Sequence, residues 1–545
     1  IHYLELEKRI TDTYILSSSS NAKNALLDSY IKAFRWASDR IGEKGIIGFI
    51  TNSGYLDKGS LDGMRKSIYK EYNHIYVFNL RGAIKGKVGN LARVEGQNIF
   101  NILTGVAITI LVKDNSSVHE LLYWDIGDYL SRKDKLDKIK SSFSIGNMDW
   151  AVLKPDQNND WINLRDPNYQ KYPSISGENN SPFLSNAVGI STNRDIWVSG
   201  FSKSKVLTNS KLMVDNYNIE VTKNGGQGQK STMRDSTKIK WTRALDNKFK
   251  KGEKITFNSE NLHLEMYRPF TKKWLMYDKN IVEMPGQYLT KWGKENEVIY
   301  TTGRGIRRSF SALIINCMPN LDLMEKGQGF IEFNNQPSNE LIPNRDNINI
   351  EFAKKNGLTK EEVIPFIYAL LNSPDYQKYF ANDLKKDLAH IPPVYPKEDY
   401  IKIGKKLMDL HLNYETVPMY DKCQIIYNGV PDYKVKKMKF AKKRNAECKL
   451  EKDRSTIIFN DSITIENIPE KAYQYIVNGK SAIEWIMDQY QVKTDKKSGI
   501  TDDPNDYSND PKYIFNLLLR IINVSVQTVD LINELPPLVV EKNNI

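Results

Sequence analysis

Residues 27–53 read LDSYIKAFRWASDRIGEKGIIGFITNS, and this stretch decides the fold class. Leu27, Tyr30, Ile31, Phe34, Ala37 and Ile41 recur at helical spacing, Gly42 stops the pattern, and Gly45 to Ile50 follow as a short continuous apolar run. The reading is a helix feeding a buried strand. Working outward, the alternation repeats: Ser60 can cap a helix with Leu61, Met64, Ile68 and Tyr72 on one face, and a second buried run covers His74 to Leu80. Two more runs, Val106 to Val112 and Leu121 to Trp124, lie close enough in sequence to be expected as a terminal hairpin. The pattern is that of the second half of a doubly wound α/β sheet. No Gly-rich turn precedes residue 24, and Ile1 falls inside a helical pattern with Leu4, Leu6 and Ile10, so the chain is expected to be cut from something longer.

The whole chain has 545 residues, 26% charged and 40% hydrophobic, with 78 Lys and Arg against 66 Asp and Glu, for a net charge of +12. That composition excludes a disordered tail, a collagen-like fibre and a disulfide-stapled miniprotein, and the length predicts about three domains. Cys317, Cys423 and Cys448 show no zinc-knuckle or redox spacing, which points to a reducing cytoplasm. The N-terminus is too polar for a signal peptide, and the most apolar C-terminal stretch, Tyr513 to Val526, is interrupted by Asn516, Arg520 and Asn523, so no membrane span is expected.

Between Arg81 and Gln97 lies a loop rich in Gly and basic residues (Gly82, Lys85, Gly86, Lys87, Gly89, Arg93, Gly96), long enough to be mobile or functional. From about residue 146 the texture becomes mixed, with clear helical periods returning only near residue 358, so the middle region reads as mainly β or α+β. Thr359 with Glu362 makes a capping box, and amphipathic patterns follow at Tyr376 to Asp387 and Tyr400 to Tyr414. A basic stretch that includes Lys434, Lys439, Lys442 and Lys443 precedes helical patterns at Lys480 to Tyr490 and Lys512 to Leu535.

Gly225 to Thr232 invites comparison with a phosphate loop, but Gln229 stands where Gly must precede Lys and no helical period follows; a surface hairpin is the leading expectation, with a Gly-rich loop on a DNA backbone through Lys230 second. The histidines are scattered, so no metal site is expected, and there is no Gly-x-Ser-x-Gly elbow. The basic residues say more, because they alternate with aromatics: Arg194 near Trp197, Lys240 and Arg243 around Trp241, Arg268 beside Tyr267 and Phe270, with Arg304, Arg307 and Arg308 close together. Arg forks onto guanine, Asn and Gln onto adenine, and Lys neutralises phosphates, so these clusters with the net charge favour a polyanion partner.

Several stretches are more specific. They are Leu27 to Ile31, Arg35 to Arg40, Ile47 to Ser53, Asp62 to Arg65, Asn79 to Gly82 and Gly105 to Ile108; then Thr192 to Asp195, Tyr267 to Phe270, Leu371 to Pro374, Gly404 to Leu407, Asp409 to His411 and Asn413 to Glu415; and finally Tyr475, Val477 to Gly479, Ser481, Glu484, Trp485, Tyr490 to Lys493, Ser498 to Ile500 and Asp502 to Asn505. In this order they resemble the Type ISP restriction-modification enzymes, the single-polypeptide relatives of Type I systems. The first group resembles the post-catalytic half of the γ-class amino-methyltransferase domain, and the rest the target-recognition region.

The resemblance implies a partial methyltransferase sheet over residues 1–145, an α+β target-recognition domain with a helical end over 146–415, and a mainly helical C-terminal part of the specificity region over 416–545. It implies a parent that methylates adenine at an asymmetric duplex site and cleaves unmodified DNA after ATP-driven translocation. The S-adenosylmethionine site and the Asn-Pro-Pro-Tyr catalytic signature would lie upstream of residue 1, with ATP and Mg2+ used only by the full-length parent; Asp166-Pro167-Asn168-Tyr169 is a near miss that reads as a turn. This chain alone is then expected to be inactive. The partners implied are double-stranded DNA and the upstream nuclease, helicase-like and methyltransferase parts of the same polypeptide. Thr51, Asn52, Ser53, Arg81 and Gly82, at strand ends, are expected at the rim of the methyltransferase pocket. Thr192, Asn193, Arg194, Lys230, Arg243, Arg304, Arg307, Arg308, Lys442 and Lys443 are the expected DNA contacts. The alternatives are a non-enzymatic DNA-binding specificity module or degenerate methyltransferase, and a small-molecule methyltransferase, which would have no affinity for duplex DNA.

Overall fold

Helix α1 (Ser29–Ser38) forms where the apolar spacing predicts it, burying Ile31 and Phe34 together with Arg35 and Ser38. It ends four residues before Gly42, where the Asp39 carboxylate takes Arg35 and Arg9 at 2.8 Å each. The protein is described here by a computed structural model covering residues 3–85, 87, 90–286, 296–334, 345–444 and 450–539. Of the Gly-rich loop, Gly86 and Gly89 lie outside the described residues, as does Cys448, and Asn90–Glu95 is a short helix. The chain divides into two compact units: the first holds residues up to Lys171 with Arg304–Arg308 and Phe380–Leu388, and the second holds the remainder.

In the first unit, β1 (Gly45–Asn52), β2 (His74–Arg81), β3 (Val106–Lys113), β4 (Glu120–Asp125) and β5 (Ala151–Leu153) form one sheet in the order β1-β3-β2-β4-β5. The expected hairpin of β3 with β4 does not form. Instead β3 runs antiparallel between β1 and β2, which are therefore parallel to each other, and β4 adds parallel to β2. Two apolar strands both need a partner on the side where β3 sits, and inserting it satisfies both ladders at once. Helix α2 (Asp62–Glu71) is not capped by Ser60; the carboxylate of Asp62 takes its neighbour's amide, Gly63 N, along with Ser18 and Ser19. Ile31, Phe34, Ile47, Tyr55, Met64, Ile75, Val77 and Leu111 make the core beneath the sheet. The later segments join this unit through a buried charge cluster, in which the fully buried Asp160 carboxylate meets Arg65 at 2.8 Å, Arg165 at 2.9 Å and Lys386 at 2.9 Å. Three cations on one carboxylate offset the desolvation that an isolated buried charge would incur. Asp166 to Tyr169 is a turn, as expected, closed by Tyr169 N on Asp166 O.

The second unit is α+β. One four-stranded sheet is ordered 312–315, 298–301, 328–331 and 187–188, and another 318–319, 262–268, 271–276 and 199–200. The helices that the mixed texture hid in the middle region include α3 (Lys203–Asn224) and α4 (Arg243–Lys251). Gly225 to Gln229 accordingly follows a helix instead of turning a hairpin, and it docks on the end of α4 through Gly226 N to Phe249 O and Gly228 N to Lys250 O. The expected helices appear as α5 (Lys360–Asn372), with the Thr359/Glu362 capping box in place, α6 (Lys397–Leu412), α7 (Ala482–Gln489) and α8 (Tyr513–Asn533). The C-terminal part also contains an element that periodicity did not foresee, a four-stranded antiparallel sheet over residues 424–466. Among the described residues one helix, α8, is long and apolar enough to cross a membrane, and most of it is buried in the core of this unit.

Candidate functional site

The carboxyl ends of β1 and β2 flank the first residue of β3, since Asn52 and Arg81 are both register partners of Val106. Thr51, Asn52, Ser53, Arg81 and Gly82 are thereby brought to one edge of the sheet. Asn52 Oδ1 takes the amide of Gly54 at 2.8 Å, and Ser53 N donates to Gly105 O at 2.9 Å. A Cβ on Gly105 would stand 2.4 Å from Ser53 Oγ, so glycine is required for this close approach. Arg81 is in the left-handed region, with its guanidinium committed to Asp125, at 2.6 Å, and to Asp128. What the rim leaves over is Thr51 Oγ1, buried without a partner. A buried, unsatisfied hydroxyl costs roughly 1–3 kcal/mol, so it fits the margin of a pocket completed by another group. The carboxylates beside the rim are engaged, Asp125 and Asp128 by Arg81 and Glu95 by Lys87 and the Ala83 amide, so its residues suit an outer wall and not the main hold on a cofactor.

In the second unit the segment Thr192 to Asp195 turns through Asn193, whose φ of +52° asparagine tolerates better than most residues. Thr192 Oγ1 donates to Asp195 Oδ1, and Tyr267 donates its hydroxyl to Asp195 Oδ2 at 3.0 Å. Asn193 is exposed, but Arg194 is fully buried. Arg194 donates to Thr242, lies 3.8 Å from Glu283, and leaves Nε and Nη1 without partners. Burial lowers its pKa to about 10. It is therefore not available as a direct contact, because its guanidinium has no path to solvent. Arg243 opens α4 and is 82% exposed, and Glu283 lies 3.8 Å from it while accepting the Ala244 amide at 3.1 Å. Lys230 is also exposed, 3.8 Å from Asp246 on the same helix. Arg194 and Arg243 thus meet around Thr242 and Glu283, Thr192 accepts the Arg194 amide, and Lys230 lies beside Asp246 further along α4.

Beside this cluster a polar cleft of about 380 Å³ opens. Ser191, Thr192, Asn193 and Asp195 form one wall, and Lys240, Asn320, Asp322 and Asp495 the others. Its floor is held by a buried network. Asn320 donates to Glu265 at 3.0 Å and accepts from Arg268 at 3.0 Å, while Ser199 donates to the other oxygen of Glu265. Burial raises the pKa of Glu265 to about 7. Asp495 is kept below the usual carboxylate range by the turn amide and hydroxyl of Ser498. Sequence reasoning named Thr192 and Asn193 but missed Asp195, Asn320, Asp322 and Asp495 as a group; no spacing could have joined residues that only the fold collects.

The remaining expected contacts lie elsewhere. Arg304, Arg307 and Arg308 belong to the first unit, where Arg304 pairs with Asp387 at 2.8 Å and Ile306 N bonds Lys385 O. Lys442 and Lys443 are exposed on the strand Lys439–Arg444 at one edge of the C-terminal sheet, with Lys443 3.4 Å from Asp453. Among the described residues no group of three or more metal-ligating side chains converges.

Residues 181–517, which include every residue lining the cleft, match the Type ISP C-terminal specificity domain. The chain belongs to the Type ISP family. Solved Type ISP structures agree with this over nearly its whole length. A nuclease-deletion mutant of the restriction-modification enzyme LlaGI, in complex with a DNA substrate mimic, is 43% identical, with a TM-score of 0.89 over 99% of this chain and 51% of that one. The ATP-dependent enzyme LlaBIII bound to DNA is 40% identical, with a TM-score of 0.88 over 99% of this chain and 36% of that one. A DrdV–DNA complex is 25% identical, with a TM-score of 0.85 over 98% of this chain and 55% of that one. The Type ISP chain described here therefore spans about half the length of the nuclease-deleted LlaGI chain and just over a third of LlaBIII. Among curated proteins none matches.

Proposed function

We propose that this chain is the sequence-reading part of a Type ISP restriction-modification enzyme acting on duplex DNA in the cytoplasm. The observation that carries the reading is that the polar cleft, with Asn193 and Lys240 on its walls, lies wholly inside the stretch matching the specificity domain, as do Lys230 and Arg243. The solved relatives were captured on DNA. In this reading residues 146–415 recognise the site and 416–545 complete the specificity region, with Lys442 and Lys443 offering phosphate contacts. Residues 1–145 complete an N6-adenine methyltransferase whose S-adenosylmethionine and catalytic signature are supplied by preceding parts of the parent polypeptide. Residues 146–171 travel with that half, and Arg304, Arg307 and Arg308 extend the DNA surface from it. S-adenosylmethionine would supply the methyl group; Thr51, Asn52 and Ser53 would wall its pocket, the Thr51 hydroxyl gaining the partner it lacks. Adenine must leave the duplex stack to reach such a pocket. ATP and Mg2+ serve only the translocating parts of the parent.

Selection of duplexes from a randomised library against the 545-residue chain, at low and moderate salt, tests the proposal. Enrichment of one asymmetric site containing adenine, with binding that weakens as salt rises, is the expected result. Selection of no site by either the chain or its parent would overturn it. An Arg307→Ala/Arg308→Ala variant that binds the selected duplex as tightly as the unaltered chain would remove those two residues from the contact surface.

A further inference from the structure

The cleft in the second unit differs in charge from the molecule around it. In a chain of net charge +12, it presents Asp195, Asp322 and Asp495 against a single lysine, Lys240. Phosphate oxygens would be repelled there. Two of its carboxylates, Asp195 and Asp495, are also held in place. Each oxygen of Asp195 takes one donor, from Thr192 and Tyr267, and keeps a second lone pair. Asp495 spends Oδ1 on the Ser498 turn and leaves Oδ2 open. Asp322 is 76% exposed, with Arg268 at 3.8 Å, and its backbone amide is fixed by Asn320 Oδ1 at 3.0 Å. At the mouth, the exposed amide of Asn193 accepts from Ser191 at 3.4 Å, and its Nδ2 is uncommitted among the described residues.

Fixed acceptors beside an amide and a lysine complement one chemical feature of DNA. In the major groove, adenine N6 and cytosine N4 each offer one hydrogen not used in base pairing, and adenine sets an acceptor, N7, beside it. We infer that this cleft receives the exocyclic amino group of a base in the target site, with a carboxylate of the Asp195, Asp322 and Asp495 set accepting its one free hydrogen and Asn193 or Lys240 completing the contact. The inference rests on the proposed reading of duplex DNA. It separates the cleft's role from that of Lys230 and Arg243, which face the solvent as cations and serve phosphates.

The test begins with the unaltered chain, whose selected site establishes whether DNA is read at all. The same selection is then run with Asp322→Asn, which alters an exposed side chain without touching the core, and with Asp195→Asn and Asn193→Gly, the glycine keeping the left-handed turn. The expected result is relaxed preference at one adenine or cytosine position, with cognate affinity falling about five- to a hundredfold. Unspecific affinity holds or rises in the two Asp variants, because a negative charge has been removed. Purine in place of adenine, or 2-pyrimidinone in place of cytosine, at that position reproduces the loss with the unaltered chain and adds nothing further with Asp322→Asn, which tells the two bases apart. If all three variants keep the original site preference, or the Asp variants merely tighten on every duplex alike, the inference is overturned while the proposed function stands. If the unaltered chain and its parent select no site, the proposed function itself has failed.

Discussion

Arg194 and Arg243 both approach Glu283 at 3.8 Å, yet one is sealed in the fold and the other is 82% exposed. Their substitutions should therefore separate. Arg243→Ala removes one cation from the surface and should lower the slope of log affinity against log salt by about one, measured by DNA titration across salt concentrations. Arg194→Ala should leave that slope unchanged and instead lower unfolding stability by about 3 kcal/mol in denaturant melts, because the buried Glu283 loses a cation. The sequence displayed Arg194 beside Trp197 as if it were a contact; its burial depends on Thr242, 48 residues further on, and no local pattern carries that. Glu265 was invisible for the same reason. Burial raises its pKa to about 7 against about 4.3 for a free glutamate, so the folded state holds a proton that the unfolded state has released. Stability tied to this group is full below about pH 4.5 and declines as pH rises toward 7, and Glu265→Gln should flatten that limb, recovering about 3 kcal/mol near neutrality in urea melts.

Three helices of the second unit meet at a directed hydrogen-bond chain. Ile314 N donates to Tyr368 Oη on α5, which donates to His411 Nδ1 on α6 at 2.5 Å; His411 Nε2 donates to Thr528 Oγ1 on α8 at 2.8 Å, and Thr528 donates to Val524 O. Every donor is matched, so a second proton on His411 has no acceptor, and burial lowers its pKa to about 3. The unfolded chain takes that proton near pH 6.5. Stability should therefore fall as pH drops below about 6.5, by up to about 1.4 kcal/mol per unit, while the His411 ring signal in NMR shows no titration between pH 7 and 5. A ring that titrates normally would refute the account. The α5–α6 contact makes a second demand, because a Cβ on Gly404 would lie 2.0 Å from Pro365 O. Gly404→Ala should cost about 1–3 kcal/mol in a thermal melt, as overpacking against rigid backbone does. At this scale much was readable. Strands β1 to β4 of the first unit declared themselves as continuous apolar runs and α5 by its capping box, whereas the three-residue β5 gave no such run. Helix α3 did not, because its buried face mixes Val206, Met213 and Tyr217 with Ser210 and Glu220 and so blurs the period. The order β1-β3-β2 was equally beyond local reading, since adjacency in sequence favours the hairpin that insertion between two parallel strands defeats.

For the molecule as a whole, β1 carries the most telling surface. It is an edge strand, with Ile47 and Phe49 packed on the core while Ile46 and Ile50, on the opposite face, are 70% and 60% exposed. A doubly wound sheet covers both faces and continues past such an apolar edge, and an open one is a liability for association. The solved Type ISP relatives are about two to three times as long as the part this chain aligns with, so a longer polypeptide has material to cover it. This predicts a difference between contexts. Ile50→Thr keeps a β-branched residue and so preserves strand propensity; in the 545-residue chain it should shift unfolding by no more than about 0.5 kcal/mol, because the side chain is already in water. In a longer Type ISP polypeptide that covers this face the same change would place a hydroxyl in an apolar contact and should cost about 1–3 kcal/mol, with faster amide exchange along residues 45–52. Equal effects in the two contexts would mean that the parent leaves this edge open, and the first unit would then have to be read as a free-standing half-sheet with no methyltransferase to complete.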